Sequence, residues 1–363
     1  MEPWWQDCYG NPSAIHTIYG RRARDAVEQA RAQIAAALQV SSEAVLFTSG
    51  ATEANNLALK GLIATFPSDA HVITTAIEHR AVLEPLKRLA RRRVIELSIL
   101  PVNAQAEIDL EHFQQAIRPA TRLASIQFAN NEVGTIFPLS QIHPICQRSG
   151  VVLHSDAAQM LGRFPLPLSG PPTDFLSVSA HKCYGPQGIG ALIVPSSDSA
   201  PRLEPLLEGG GQERRLRSGT VPVALCVGFG AAVELAQREW ASDHQHLEAL
   251  ATRLVETLCH GLPDLRLNGP REHRLSGNVS VSFPDIDGMA LLQALPELAV
   301  SSGAACSTTS PEPSHVLLAM GLDHQLAQAT LRLSVGRFNT IDEIDRAAKM
   351  VIAAVHDLRR LRQ

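Results

Sequence analysis

The chain has 363 residues, of which 45% are apolar and 19% are charged, with a formal net charge of −4. This is the composition of an ordinary globular protein, without the basic excess expected for binding nucleic acid or an anionic membrane. The longest uncharged apolar stretch, residues 221–233, contains Pro222 and is too short to span a bilayer. The acidic start of the chain (MEPWWQD) also argues against a secretory signal.

Cysteine and lysine usage restrict the chemistry further. The six cysteines form no CxxC pair and no metal-finger spacing, which argues against a disulfide scaffold or a zinc site and favours the reducing cytoplasm. Lysine is scarce, with only Lys60, Lys87, Lys182 and Lys349 among 32 basic residues. Arginine stays protonated and forms no Schiff base, so any amine chemistry falls on one of these four residues.

The first half of the chain alternates between predicted helices and apolar strands. Apolar residues at three- and four-residue spacing predict a helix over residues 23–38. A short strand follows at 45–47, then the small-residue turn TSGAT and a helix that ends near residue 61. An amphipathic helix over 82–89 comes after a buried strand. That buried strand covers residues 71–77, and the further predicted strands are residues 123–128, 151–153, 175–178 and 190–194.

This alternation predicts an α/β fold with a mostly parallel sheet covered by helices on both faces. After the glycine-rich loop 208–220, a helix is predicted over residues 222–240 and then a smaller α+β unit. That unit has predicted strands at 278–283, 299–301 and 331–335, and a final helix whose capping box runs from Thr340 to Glu343. We place the domain boundary near residue 240, which gives a large domain, 1–240, and a small domain, 241–363.

Polar residues follow five of the predicted strands in the larger unit. They are Thr52, His79, Asn131, Asp156 and Lys182. Ligands of open α/β sheets bind at the carboxyl ends of the strands, so these five side chains are expected to share one site.

Lys182 and Asp156 are the most informative members of this set. Lys60 precedes Gly61 at a helix end, where its charge complements the dipole, and Lys87 and Lys349 lie on polar helix faces. A lysine in a cleft at a strand end can lose its proton and attack a carbonyl group. Asp156 suits either a helix N-cap or a carboxylate paired with a pyridinium nitrogen, the partner that pyridoxal 5′-phosphate (PLP) requires.

Two further features support a phosphate-bearing, planar cofactor. The turn from Thr48 to Thr52 has small residues that would leave backbone N–H groups free for a phosphate at a helix N-terminus. It is neither a P-loop nor a GxGxxG fingerprint. His79 could be a structural residue, or it could stack on a cofactor ring and transfer protons.

Cys306 stands apart from the other five cysteines, whose contexts indicate buried or bystander thiols. It lies in a stretch of small and polar residues, 301–311, the kind of loop in which a reactive thiol is found. Arg332, in the later motif LRLSVGR, could bind an amino-acid carboxylate or form a surface ion pair.

Taken together, these motifs resemble the cysteine desulfurases of iron–sulfur assembly and nitrogen fixation, within the class-V aminotransferases. The long loop around Cys306 resembles that of the first subgroup, whose loop delivers sulfur outward. The matching motifs are FTSGATEANN (47–56), EHRAVL (78–83), NNEVGT (130–135), HSDAAQ (154–159), SVSAHKCYGPQGIGAL (177–192), GGGQERRLRSGT (209–220), SSGAACSTTSPEPSHVL (301–317) and LRLSVGRF (331–338).

The resemblance implies a homodimeric PLP enzyme of fold type I and assigns roles to individual residues. Lys182 would attach to the cofactor and act as a base, and Cys306 would be the nucleophile. Asn131 and Arg332 would bind the substrate carboxylate. The remaining cofactor ligands would be His79 over the ring, Asp156 at its nitrogen, Gln159 at its phenolic oxygen, and Ala51, Thr52, Ser179 and His181 at the phosphate, with Thr220 supplied by the other subunit.

The implied activity converts L-cysteine to L-alanine and leaves sulfur on Cys306 as a persulfide. The expected partners are L-cysteine, a second copy of the chain, and a sulfur acceptor or iron–sulfur scaffold protein, with no membrane and no direct nucleic-acid partner. A selenocysteine lyase, a related class-V transaminase and a catalytically impaired accessory homologue remain as alternatives.

Overall fold

The computed structural model describes residues 1–164, 170–195, 201–302 and 312–361. The helices are α1 (Ile18–Leu38), α2 (Ala51–Ile63), α3 (Arg80–Arg91), α4 (Leu110–Ala116), α5 (Leu139–Arg148), α6 (Val223–Arg238), α7 (Trp240–Gly261), α8 (Gly288–Gln293), α9 (His315–Ala319), α10 (His324–Gln328) and α11 (Ile341–Leu361). The strands are β1 (Val45–Thr48), β2 (His71–Thr75), β3 (Glu96–Leu100), β4 (Thr121–Ser125), β5 (Val152–Asp156), β6 (Phe175–Ser179), β7 (Gly190–Ile193), β8 (Arg266–Leu267), β9 (Asn278–Ser282), β10 (Ser301–Ser302) and β11 (Thr330–Ser334).

The first seven strands form one sheet in the order β1-β7-β6-β5-β4-β2-β3. All neighbouring pairs from β6 to β3 are parallel, whereas β7 pairs antiparallel with both β6 and β1. The sheet is therefore mostly parallel, and the predicted α/β fold class is confirmed.

Helices cover both faces of this sheet. Successive strand residues point to opposite sides, so each strand contributes side chains to both faces. In β6, Phe175 packs with α2 and α3 on one face, and Leu176 belongs to the larger core on the other face. Helices α1, α5 and α6 contribute to that larger core. With both faces buried, the carboxyl edge of the strands is left as the place where polar side chains can meet a ligand.

A second sheet, in the order β10-β11-β9-β8, is antiparallel throughout. Its core is shared with α7 and α11, through residues such as Leu254 and Val351. Val316 and Leu317 of α9, however, are buried in the core of the large sheet. The chain therefore returns to the first core after residue 240, and the boundary near that residue stays a prediction.

Two regions differ from the sequence-based expectation. Strand β3 was not predicted, because it lies at the sheet edge, buries only Leu100 fully and offers no continuous apolar run. The helix predicted over residues 222–240 is α6 followed directly by α7, with Glu239 between them at φ −98° and ψ 1°.

The final helix begins as predicted. Thr340 Oγ1 accepts from the backbone N–H of Glu343 at 3.3 Å, and Glu343 accepts from the backbone N–H of Thr340 at 2.9 Å, which completes a capping box. Across the part of the chain that the structure describes, no helix combines the length and apolar character needed to cross a membrane.

Candidate active site

The carboxyl ends of the strands of the large sheet surround a cavity of 540 Å³. All five polar residues predicted to meet at the strand ends line it, together with five further predicted site residues. The ten are Ala51, Thr52, His79, Asn131, Asp156, Gln159, Ser179, His181, Lys182 and Arg332. Thr220 is exposed and is not among the lining residues, and Cys306 lies outside the described residues.

One end of the cavity, called here the α2 end, is formed by the N-terminus of α2 and by Ser179 and His181. Gly50 precedes α2 at φ +148°, and a Cβ placed on it would lie 3.9 Å from Ser179 Oγ, so the absence of a side chain keeps this space open. Ser179 Oγ also lies 2.9 Å from His181 Nδ1. A helix N-terminus beside a hydroxyl and an imidazole is suited to an anion such as phosphate.

A carboxylate also lies at the α2 end and has its own cation. Glu53 accepts from the Ser49 N–H at 2.8 Å and pairs with Arg217 at 2.8 Å. Burial raises the pKa of Glu53, but the hydrogen bonds from Arg217 and Ser49 outweigh it and hold the pKa below its ordinary value. Arg217 therefore offsets a negative charge that would otherwise oppose a phosphate at this end.

Asp156 ends β5 at the floor of the cavity and is only 7% exposed. Its Oδ2 accepts from Asn55 Nδ2 at 2.7 Å, and its Oδ1 accepts from the backbone N–H of Ala158 at 3.0 Å. The second bond caps the turn after the strand, but residues 158–163 form turns and not the helix that the N-cap interpretation expected. The carboxylate is thus held in one orientation toward the cavity, where it can also bind a ligand cation.

His79 is the N-cap of α3. Its Nδ1 accepts from the backbone N–H of Ala81 at 3.1 Å, so a neutral ring carries its proton on Nε2. This cap fixes the ring of a residue that lines the cavity. The structural role and the cofactor role considered for this histidine are therefore compatible.

Lys182 ends a short 3-10 turn, Ala180–Lys182, directly after β6. The turn is closed by backbone bonds from Cys183 and Gly185 to the carbonyl of Ala180, at 3.0 and 2.9 Å. The lysine side chain is exposed in the single chain. Burial and the neighbouring charge of Lys182 lower the pKa of His181, which favours a neutral imidazole beside the amine.

The opposite side of the cavity, called here the β11 end, is built from two sheets. Arg332 lies in β11 of the second sheet, between Ser280 of β9 and Ser301 of β10. Asn131 belongs to the loop after β4, and its carbonyl accepts from Asn278 Nδ2 at 3.1 Å. The β11 end therefore contains one cation and one amide, a combination that suits a carboxylate.

Glu132 lies next to Asn131 and is nearly buried. Ser314, the N-cap of α9, donates its hydroxyl to this carboxylate. Burial raises the pKa of Glu132 to about 7, against the lowering influence of Ser314, Arg332 and Arg80. A second buried acid, Glu78, accepts from Thr75 Oγ1 at 2.8 Å and from the Gln127 N–H at 2.9 Å, and burial raises its pKa to about 8.

Sequence reasoning did not single out several residues that shape the site. They are Glu53, Asn55, Glu78, Gln127, Glu132 and Arg217. All of these except Gln127 lie inside quoted motifs, within three residues of a predicted site residue, and this proximity was the available signal. The contacts of Asn55 with Asp156, of Glu53 with Arg217 and of Glu132 with Ser314 join residues more than 100 positions apart, so they could not be read from spacing.

The described cysteines have environments that argue against nucleophilic roles for three of them. Burial raises the thiol pKa of Cys146 to about 12, of Cys183 to about 11, and of Cys226 higher still. These thiols stay protonated at neutral pH. Cys8 is half-buried, and Cys259 is exposed on α7 rather than buried.

The donor set of the cavity fits PLP. The open space beside Gly50 suits a phosphate, Asp156 offers a fixed carboxylate for a pyridinium nitrogen, and Lys182 offers a primary amine for the aldehyde. His79 supplies a flat ring on the same cavity wall. With the mostly parallel sheet, this set defines the class of protein: a PLP-dependent enzyme of fold type I.

Comparison with known proteins places the chain within this class. Residues 1–347 match the class-V aminotransferase family. The mitochondrial cysteine desulfurase of Arabidopsis thaliana is 43% identical over 354 residues, covering 97% of this chain and 78% of the relative. The chain therefore belongs to the class-V aminotransferase family and, within it, to the cysteine desulfurases.

Solved structures agree with this placement. A NifS-like protein superposes with a TM-score of 0.90 at 36% identity, covering 98% of this chain and 94% of that structure. SspA in complex with cysteine superposes with a TM-score of 0.80 at 35% identity, covering 93% and 94% of the two chains.

Proposed function

We propose that the chain converts L-cysteine to L-alanine and transfers the sulfur to its own Cys306 as a persulfide. The observation that carries this proposal is the convergence of Lys182, Asp156 and Arg332 on one cavity in a chain of the cysteine desulfurase family. The cysteine bound to the related SspA supports the same class of substrate.

The proposed cofactor contacts divide the cavity by chemistry. When bound, PLP withdraws electrons from the α- and β-carbons of an attached amino acid. Lys182 Nζ binds the cofactor and then carries a proton to and from the substrate α-carbon. The other proposed contacts are those of Ala51, Thr52, Ser179 and His181 with the phosphate, Asp156 with the ring nitrogen, Gln159 with the phenolic oxygen, and His79 with the ring face.

At the β11 end, Arg332 and Asn131 are proposed to bind the substrate carboxylate. A guanidinium can hold both carboxylate oxygens in one plane, which fixes the orientation of the α-carbon. This orientation explains why a carboxylate-bearing amine is the proposed substrate class.

The sulfur transfer uses the Cys306 thiolate as nucleophile. Its sulfur attacks the substrate sulfur, so an S–S bond forms while the Cβ–S bond of the substrate breaks. The electron pair of the broken bond remains with the β-carbon, which gains a proton to give the methyl group of alanine. The overall change is L-cysteine and a protein thiol giving L-alanine and a protein persulfide, without an external oxidant or reductant.

The proposal includes a homodimer, in which Thr220 reaches the phosphate of the partner subunit. The exposure of Thr220, away from the cavity of its own chain, supports this assignment. It also includes a cytoplasmic location, supported by the free cysteines among the described residues, and a sulfur-acceptor or iron–sulfur scaffold protein as the next partner.

The test compares the wild type with Cys306→Ser after loading with PLP and adding L-cysteine. We expect alanine and a protein-bound persulfide from the wild type and neither product from Cys306→Ser. Equal sulfur release from both proteins would overturn the role of Cys306. Preferred turnover of L-selenocysteine, amino transfer to a keto acid, or no turnover would instead favour the lyase, transaminase or accessory alternative.

A further inference from the structure

Tyr184 lies two residues after Lys182 and adopts a left-handed backbone conformation at φ +63°. Residues other than glycine rarely adopt this conformation, and it persists where surrounding contacts hold it. The preceding turn is closed on the carbonyl of Ala180, as described above, so the position of Tyr184 is tied to that of Lys182.

The second half of the chain contacts Tyr184 directly. The backbone N–H of Arg337 donates to Tyr184 Oη at 2.8 Å, and the Arg337 guanidinium lies 4.8 Å from the centre of the Tyr184 ring. The Phe338 ring meets the same ring edge-on at 5.7 Å. Gly336 permits this approach, because a Cβ at that position would come within 3.1 Å of Tyr184 Oη.

Arg337 is also held from the α6–α7 junction. Its guanidinium pairs with Glu239 at 3.2 Å and with Asp243, and its side chain is 10% exposed. Two carboxylates and one aromatic ring thus fix a single, largely buried cation. We call Tyr184, Arg337, Glu239 and Asp243 the junction cluster.

The junction cluster connects two site residues that belong to different sheets. Tyr184 follows Lys182 at the carboxyl edge of the large sheet. Arg337 lies five residues after Arg332, just beyond the end of β11. Asn131, by contrast, has its own link to the second sheet through Asn278. The contacts of Tyr184 therefore tie the position of the lysine turn to that of the arginine across the cavity.

We propose that Tyr184 is a positioning residue for recognition of the substrate carboxylate, because its hydroxyl bond to Arg337 keeps Arg332 in register with Lys182. This inference rests on the proposed function for its substrate class. It goes beyond that function because Tyr184 contacts neither cofactor nor substrate in the proposed arrangement.

The test uses Tyr184→Phe, which removes the hydroxyl acceptor and retains the ring. Tyr19→Phe is a matched control, since Tyr19 is similarly exposed, at 59% against 51% for Tyr184. Each PLP-loaded protein is titrated with L-alanine and with ethylamine, which differ only by the carboxylate, and binding is followed by the absorption of the cofactor.

We expect Tyr184→Phe to weaken L-alanine binding about fivefold, the effect of one lost hydrogen bond, and to leave ethylamine binding unchanged. In an Arg332→Gln background the same substitution should have no effect on either ligand, because the contact between Arg332 and the carboxylate is already lost. Tyr19→Phe should match the wild type with both ligands.

Equal weakening of both ligands, or no weakening of L-alanine, would overturn the inference, as would an undiminished effect in the Arg332→Gln background. Turnover of L-cysteine by the wild type is measured in parallel. If the wild type does not turn over L-cysteine, the proposed function is overturned. If turnover is normal but Tyr184→Phe leaves the ratio of L-alanine to ethylamine affinity unchanged, only the role of Tyr184 is overturned.

Discussion

The α2 end and the β11 end of the cavity differ in where their residues come from. At the α2 end, the lining residues belong to the large sheet and its turns, and Arg217 comes from the loop that precedes α6. At the β11 end, Arg332 comes from the second sheet and lines the same cavity as Asn131, which belongs to the loop after β4. A site built within one sheet depends on local folding, whereas a site built from two sheets depends also on how those sheets are held together.

Substitutions at the two ends should therefore have different effects. Substitutions at the α2 end and the cavity floor should change how the cofactor is held or activated. Substitutions at the β11 end and the junction cluster should change which ligands are accepted. The following predictions test this division in order of decreasing effect on activity.

Lys182→Ala should give the largest effect, since no neighbouring residue supplies a primary amine to the aldehyde. We expect turnover of L-cysteine to fall by at least about 1,000-fold and the absorption band of lysine-bound cofactor to disappear. An unchanged band would mean that Lys60, Lys87 or Lys349 holds the cofactor instead. Lys349→Ala, at an exposed position on α11, is the control and should keep both the band and the activity.

Asp156→Asn should come next, because the amide keeps the shape of the side chain but removes its charge. We expect turnover to fall about 100-fold, the range found when a fixed electrostatic partner is lost at a reacting centre. Asn55→Ala keeps the charge and removes one hydrogen bond, so a smaller loss is expected. If Asp156→Asn turned over at the wild-type rate, this carboxylate could not be the partner of the ring nitrogen.

Arg217→Gln should weaken cofactor binding by about tenfold, or roughly 1.4 kcal/mol, because it leaves Glu53 as an unpaired negative charge at the α2 end. The measurement is titration of the cofactor-free protein with PLP, and exposed Arg92→Gln is the control. The ratio of L-alanine to ethylamine affinity should not change. A changed ratio would contradict the separation of the two ends.

The buried acids should give the smallest effects on activity and a measurable effect on stability. Glu78 has an ordinary pKa of 4.5, which burial raises to about 8, so between these values the folded chain binds more protons than the unfolded chain. The free energy of unfolding should therefore fall as pH rises across that interval, by at most about 1.4 kcal/mol per pH unit. Glu78→Gln should flatten this dependence in urea unfolding measured from pH 5 to pH 8.

Glu132→Gln provides the matched variant from the β11 end. Because the pKa of Glu132 rises only to about 7, its contribution should be confined to pH values between 4.5 and about 7. Identical pH slopes in the wild type and in Glu78→Gln would show that Glu78 is already ionised in the folded chain.

The comparison of the two ends also explains what the sequence could predict. Lys182, Asp156 and His79 could be found because each follows an apolar strand, and parallel strands end at one edge. Asn55 and Glu53 were missed because they pair with Asp156 and Arg217, which lie 101 and 164 residues away. Such pairings depend on the order of strands and loops in space, which periodicity does not reveal.

The second sheet shows the same limit. Arg332 was identified by its motif, yet no spacing rule could place it opposite Asn131. The contact of Tyr184 with Arg337 joins residues 153 positions apart, which follow strands of different sheets. For elements with strong local patterns, such as the capped helix α11, the start was predicted correctly. The edge strand β3 had no such pattern and was not predicted.

The antiparallel strand β7 has a consequence for the order of folding. Ser179 pairs with Gly190, so residues 180–189, including Lys182, form the ten-residue loop of a hairpin. Closing so short a loop costs little chain entropy, and local contacts of this kind form before distant ones. We expect the amides of β6 and β7 to gain protection earlier than those of β11 in pulsed hydrogen exchange. The amine would then be in place before Arg332, the cation proposed to bind the other end of the substrate.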